Sequence, residues 1–194
     1  MVDIFMSGEN IAIPPRIDTY ENVAENVFVS RLQQTEEREG NIRLAKFLAE
    51  KTNEPVFVLP HIQPSLKKSK ALREIYFPNG VKENKNPDFY FRGRFVDGKS
   101  MVNIIYREEA ILKRKIQGRI KDAFKQAGDA FIEIPLFIDK NIVYTAINGQ
   151  LNSSKQDHIV YVKYGEELFL IKNPINKSIG WRLESLGAQS NANI

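Results

Sequence analysis

Asp88, Asp97 and Lys99 are the side chains whose types and spacing could do chemistry together. They lie in Asn86-Pro87-Asp88-Phe89-Tyr90-Phe91-Arg92-Gly93-Arg94-Phe95-Val96-Asp97-Gly98-Lys99. Phe89, Tyr90 and Phe91 favour a strand, Arg92-Gly93-Arg94 a tight turn, and Phe95-Val96 a return strand. Asp88 enters the first strand and Asp97 lies late in the second, so the hairpin brings the two carboxylates level. Lys99, two residues on, shares the face of Asp97. Two acids this close repel unless a cation sits between them. Mg²⁺ suits that place because it takes carboxylate oxygens and keeps several waters. The same residues also read as an ordinary exposed hairpin, in which Asp97-Gly98 is a common turn pair.

Elements on both sides must hold these groups. Residues 1–20 read as an N-terminal arm, with a short strand at Ile11-Ala12-Ile13 stopped by Pro14-Pro15. A strand is expected at Val27-Phe28-Val29. A helix follows over 36–52, with Thr35 as N-cap and Ile42, Ala45 and Ala49 at helical spacing. Pro55-Val56-Phe57-Val58-Leu59-Pro60 reads as a buried strand. Residues 61–86 form a long connection, with a short helix over 66–76 and a turn at Asn79-Gly80. Its aromatics, Tyr76 and Phe77, either stack on nucleic acid beside the lysines or pack on the core.

After the hairpin, residues 101–105 continue or follow the return strand. A long helix over 108–127 and a strand over 131–135 suggest a parallel crossover. The tail holds strand candidates at 142–147, 158–164 and 168–171, and residues 182–194 are expected to be disordered. The expected fold is α/β (α+β), one domain over 1–194. A central mixed β-sheet is flanked by helices, with additional strands over 136–175.

Composition narrows the chemistry. The chain of 194 residues contains no cysteine, which excludes disulfides, thiolate nucleophiles and cysteine-bound zinc. His61 and His158 are the two histidines, too few for a histidine-rich metal site, so any metal is held mainly by oxygen. No apolar run approaches a membrane span and the start lacks a basic leader, so a cytoplasmic location is expected. The net charge is +4 and the pI about 9.2. Lys67, Lys68, Lys70 and Arg73 form one basic cluster; Lys113, Arg114, Lys115, Arg119, Lys121 and Lys125 form another. One such cluster is commonly a solvated helix face. Two of them flanking paired acids suit a phosphate backbone.

The stretch Pro87-Asp88, eight intervening residues, then Asp97-Gly98-Lys99 resembles the PD-(D/E)XK nuclease superfamily. Over residues 36–135 the chain looks most like the C-terminal nuclease domains of bacterial contact-dependent growth-inhibition toxins, with similar modules in phage and mobile-element proteins. The resemblance implies a restriction-endonuclease-like core and a metal-dependent phosphodiesterase acting on RNA, tRNA in particular, or on DNA. It implies Mg²⁺ or Mn²⁺ held by Asp88, Asp97 and a glutamate of the preceding helix. Glu39 is the candidate, with Glu37 and Glu36 as alternatives. It gives Lys99 a catalytic role, and adds Gln126, or else Gln117, from the following helix. The two basic clusters would contact nucleic acid. A toxin would also have an immunity protein as partner and would act in the cytoplasm of a target cell.

Many toxin members have Glu at the place of Asp97 and an aromatic or Thr after the lysine. Gly98-Lys99-Ser100 departs from that pattern, which also fits a site kept for binding alone. The alternative reading is therefore a catalytically inactive nucleic-acid-binding or structural module of a phage or mobile element. A metal-independent RNase using His61 or His158 is a further one.

Overall fold

Alternating apolar residues and short polar turns build a mixed sheet whose strands follow one another in chain order. The computed structural model describes residues 17–32, 35–63, 67–77, 81, 84–154, 156–172 and 183–185. Its strands are β1 (Tyr20–Ala24), β2 (Val27–Ser30), β3 (Val56–Val58), β4 (Phe89–Phe91), β5 (Arg94–Ser100), β6 (Asp129–Ile134), β7 (Ile159–Tyr164), β8 (Glu167–Lys172) and β9 (Leu183–Ser185). The helices are α1 (Thr35–Thr52), α2 (Ser69–Tyr76), α3 (Glu109–Gln126) and α4 (Lys140–Ser153). Among the described residues these strands form one nine-stranded sheet in the order β1 to β9. The pairs β2–β3, β5–β6 and β6–β7 are parallel and the others antiparallel. Each parallel pair is bridged by a helix (α1, α3 and α4 in turn), because a parallel return needs a crossover.

The helices cover both faces. On one, α1 buries Leu44, Ala45 and Leu48 against Phe89, Phe91, Val96 and Phe131. On the other, Leu112, Ile116, Ile120 and Ala123 of α3 and Val143, Ala146, Ile147 and Leu151 of α4 pack on Ala130, Ile132 and Val160. That second face also takes α2, where Tyr76 and Phe77 meet Tyr90 and Phe95. Neighbours in β4 and β5 thus point to opposite layers, as strand alternation requires.

The mixed sheet flanked by helices is as expected, and two local expectations are corrected. Residues 142–147 form part of α4, not a strand. The β-branched Ile142, Val143 and Thr145 argue for a strand locally. Burial of Val143, Ala146, Ile147 and Leu151 at helical spacing overrides that propensity, and Asp139 caps the start by accepting from Asn141 N at 2.8 Å. Residues 101–105 follow β5 outside any strand, one of the two courses expected for them. Leu183–Ser185, in the tail expected to be disordered, pairs with β8. The arm strand at 11–13 and the turn at Asn79-Gly80 lie outside the described residues. Among the described residues no helix is long and apolar enough to cross a membrane.

Candidate active site

The β4–β5 hairpin turns at Arg92 (φ 51°) and Gly93 (φ 77°), both left-handed, as a two-residue turn matched to strand twist requires. Glu54 grips the turn through Arg92 Nε at 3.0 Å and Nη2 at 2.5 Å. The register pairs Phe89 with Val96, which sets Asp88 opposite Asp97 in the next step outward. There β4 has stopped while β5 runs on to Ser100, beside β6. The overhanging strand needs an acceptor, and Asp88 supplies it: Gly98 N donates to its Oδ2 at 2.7 Å.

Glycine at 98 is a packing requirement. A Cβ there would stand 2.8 Å from Phe89 Cε2 and 3.3 Å from Asp88 Oδ2. The Asp97-Gly98 pair lies inside β5, so the turn-pair reading falls.

The segment before β4 is pinned from two sides. Asn86 Oδ1 accepts from Ile62 N at 3.1 Å and from Arg73 Nη1 at 3.2 Å. Arg73 Nη2 donates to Lys85 O at 2.7 Å, and Leu59 N donates to Asp88 O at 2.8 Å. From the opposite layer, Asn41 Nδ2 of α1 donates to Asp88 Oδ1 at 3.3 Å.

These elements enclose a cavity of about 590 Å³ whose lining includes Asn41, His61, Asp88, Asp97, Lys99 and Gln126. The Asp97 carboxyl is pushed up to about 7. Burial is the main cause and the Asp88 carboxylate the next, together outweighing the Lys99 ammonium. Lys99 Nζ forms an ion pair with Asp97 Oδ2. Gln126 Oε1 is buried with no hydrogen-bond partner among the described residues, while Asp97 Oδ2 is buried against the Lys99 ammonium. An unpartnered amide oxygen is expensive to bury and marks where a substrate donor or cation would be welcome.

Beside the cavity, Glu133 of β6 anchors α1. Its carboxylate accepts from Arg43 Nη1 at 2.5 Å and Nη2 at 2.7 Å, and from Ser100 Oγ at 2.8 Å. Lys163 Nζ adds an ion pair at 3.1 Å. Burial alone would raise this carboxyl, but these donors outweigh it and hold it at about 2.

The structure thus brings together Asp88, Asp97, Lys99 and Gln126. Glu39 is exposed and is not among the residues lining the cavity. Residues 39 and 41 project about 200° apart around a helix, and it is Asn41 that reaches Asp88. The side chains of Glu36 and Glu37 lie outside the described residues. Among the described residues no three Asp, Glu, His or Cys side chains gather as a ligand set. Gln117 packs between helices, its Nε2 2.8 Å from where a Cβ on Gly149 would stand.

His158 is a core residue, stacked on Phe124 at 3.9 Å and bonded through Nδ1 to Gly128 O. Arg73 is buried by its work on Asn86 and is withdrawn from the nucleic-acid-binding set. Tyr76 and Phe77 are core residues, which removes them as stacking platforms. Lys67, Lys68, Lys70, Arg114, Arg119 and Lys121 are exposed. Lys113 pairs with Glu109 at 2.6 Å and Lys125 with Asp122 at 3.2 Å.

Asn41, Arg43 and Glu133 carried no local signal. Each acquires its place through partners far along the chain, as Arg43 and Glu133 do across 90 positions. No protein-family model, no curated protein and no solved structure matches this chain.

Proposed function

We propose that the chain is a metal-dependent nuclease that hydrolyses phosphodiester bonds, with RNA, tRNA in particular, ahead of DNA. One observation carries the reading. Asp88 and Asp97 stand level across the hairpin, with Lys99 on Asp97, in a cavity that Gln126 also lines.

The donor set fits a hard divalent cation. Two carboxylates and an amide side chain line one space, and burial with the Asp88 carboxylate still disfavours ionised Asp97 although Lys99 is beside it. Asp88, Asp97 and Gln126 would hold Mg²⁺ or Mn²⁺, with water completing the coordination. When bound, such an ion supplies a Lewis acid for phosphoryl oxygens and lowers the pKa of a ligated water.

The protein's own groups do the rest. Asn41 and Gly98 N orient the Asp88 carboxylate. Asp97 tethers the Lys99 ammonium, which orients the attacking water or offsets charge building on the phosphorane. In hydrolysis the water oxygen bonds to phosphorus and one P–O ester bond breaks. The water gives up a proton, and the departing oxygen gains one. This chemistry requires neither serine nor histidine as nucleophile. The toxin or mobile-element origin, and an immunity protein as partner, belong to the same proposal through the motif resemblance.

The test is cleavage of tRNA, single-stranded DNA and duplex DNA with Mg²⁺, Mn²⁺ or EDTA, by the wild type and Asp97→Ala. Cleavage that disappears with EDTA and in the variant is expected, strongest on tRNA. Nucleic-acid binding without cleavage in any divalent ion would replace the reading with that of a binding module.

A further inference from the structure

Next to the acidic cavity, and sharing Ser100 with it, lies a second recess of about 230 Å³. Its wall is the irregular segment that leaves β5, with Ile105 and Tyr106, and one side of α3, with Lys115 and Arg119. Ile105 is 81 % exposed and Tyr106 42 %. Lys115 Nζ stands 5.3 Å from the Tyr106 ring centroid. Lys115 and Arg119 are one turn apart on the same helix face. Among the described residues neither has a carboxylate in ion-pair range, unlike Lys113 and Lys125 on the same helix.

An exposed ring framed by unpaired cations suits a ligand carrying both a flat π-face and negative charge. We propose that this recess is a stacking subsite for one unpaired nucleotide adjoining the phosphate held in the acidic cavity. The base lies on Tyr106 and the backbone runs past Lys115 and Arg119. The inference rests on the nuclease reading and deepens it, because a base inside a duplex has no free face to offer. The substrate class is therefore single-stranded nucleic acid, or the unpaired loops and ends of folded RNA.

Fluorescence anisotropy in EDTA, with the full chain, separates binding from cleavage. The probes are a short labelled single-stranded RNA and a duplex of the same sequence. Tyr106→Ala is expected to weaken single-strand binding by about 5- to 100-fold and to leave duplex binding unchanged. Tyr106→Phe should keep wild-type affinity, and Arg119→Ala should weaken it. Equal single-strand affinity for wild type and Tyr106→Ala overturns the subsite, even if the wild type cleaves RNA. Tyr106-dependent binding by a protein that cleaves nothing supports the subsite and removes the nuclease reading instead. A wild type that binds neither probe overturns the subsite, and its cleavage of RNA with Mg²⁺ would leave the nuclease reading standing.

Discussion

Asp97 sits where folding works against its charge. Its carboxyl is buried, faces Asp88, and is pushed from 3.8 to about 7 despite the Lys99 ammonium. Below about pH 4 the residue is protonated both folded and unfolded and costs nothing. As pH rises from 3.8 toward 7 the unfolded chain releases this proton while the folded chain keeps it. Stability therefore falls across that window, and the deficit persists at higher pH. Asp97→Asn keeps the shape without the charge. In EDTA at pH 8 its Tm should exceed that of the wild type, at about 2–4 °C per kcal/mol for a chain of this size, and the gap should close toward pH 4. Mg²⁺ should raise the wild-type Tm and leave the variant's nearly unmoved. A variant no more stable than the wild type at pH 8 would refute this account of Asp97.

At the scale of elements, the site depends on α1 being held at one height over the sheet. Arg43 and Glu133 do this, and Asn41 of the same helix orients Asp88. Glu133 is a carboxylate held at about 2, against an ordinary value of 4.5. Its contribution is fully present above 4.5 and is lost as pH falls through 2. Glu133→Gln should lose about 1–2 kcal/mol at pH 7, because water screens the half-exposed Arg43 end of the pair, with little further loss from this group on acidification. Urea unfolding at pH 7 and pH 3 measures both terms, and an equal wild-type advantage at the two pH values would contradict the assignment. This anchor was illegible in the sequence because its halves lie on a helix and a strand far apart in the chain. The acidic hairpin was legible because turn, register and alternation are local: Arg92-Gly93 decides which acid faces which. Residues 142–147 misled because their side chains favour a strand, while the face they bury is decided by α3 and the sheet. Arg73 misled because a lone cation in a basic cluster carries no mark of the asparagine it will bind.

At the scale of the whole molecule, charge is distributed by layer. The helices α2 and α3 share one side of the sheet, opposite α1. They carry Lys67 and Lys68 just ahead of α2, Lys70 within it, and Arg114 and Lys121 on α3, all exposed. Among the described residues none of these has a carboxylate in ion-pair range. Lys113 and Lys125 do, so their charge is already partly spent on Glu109 and Asp122. A net charge of +4 is modest, and what a polyanion meets is this one-sided arrangement. If the layer tracks a phosphate backbone, log Kobs for single-stranded RNA falls linearly with log salt, by about 0.7 per phosphate contacted. Changing Lys67, Lys68 and Lys70 together to Gln should flatten that line by up to about 2, and Arg114→Gln with Lys121→Gln should flatten it too. Lys113→Gln with Lys125→Gln should change it less. Arg73→Ala should act differently again, lowering Tm by freeing Asn86 and the approach to Asp88. Anisotropy titrations at several salt concentrations give the slopes. If the exposed and the paired lysines shift the slope equally, one-sided charge is not what guides the ligand, and recognition falls back on the acidic cavity and the recess beside it.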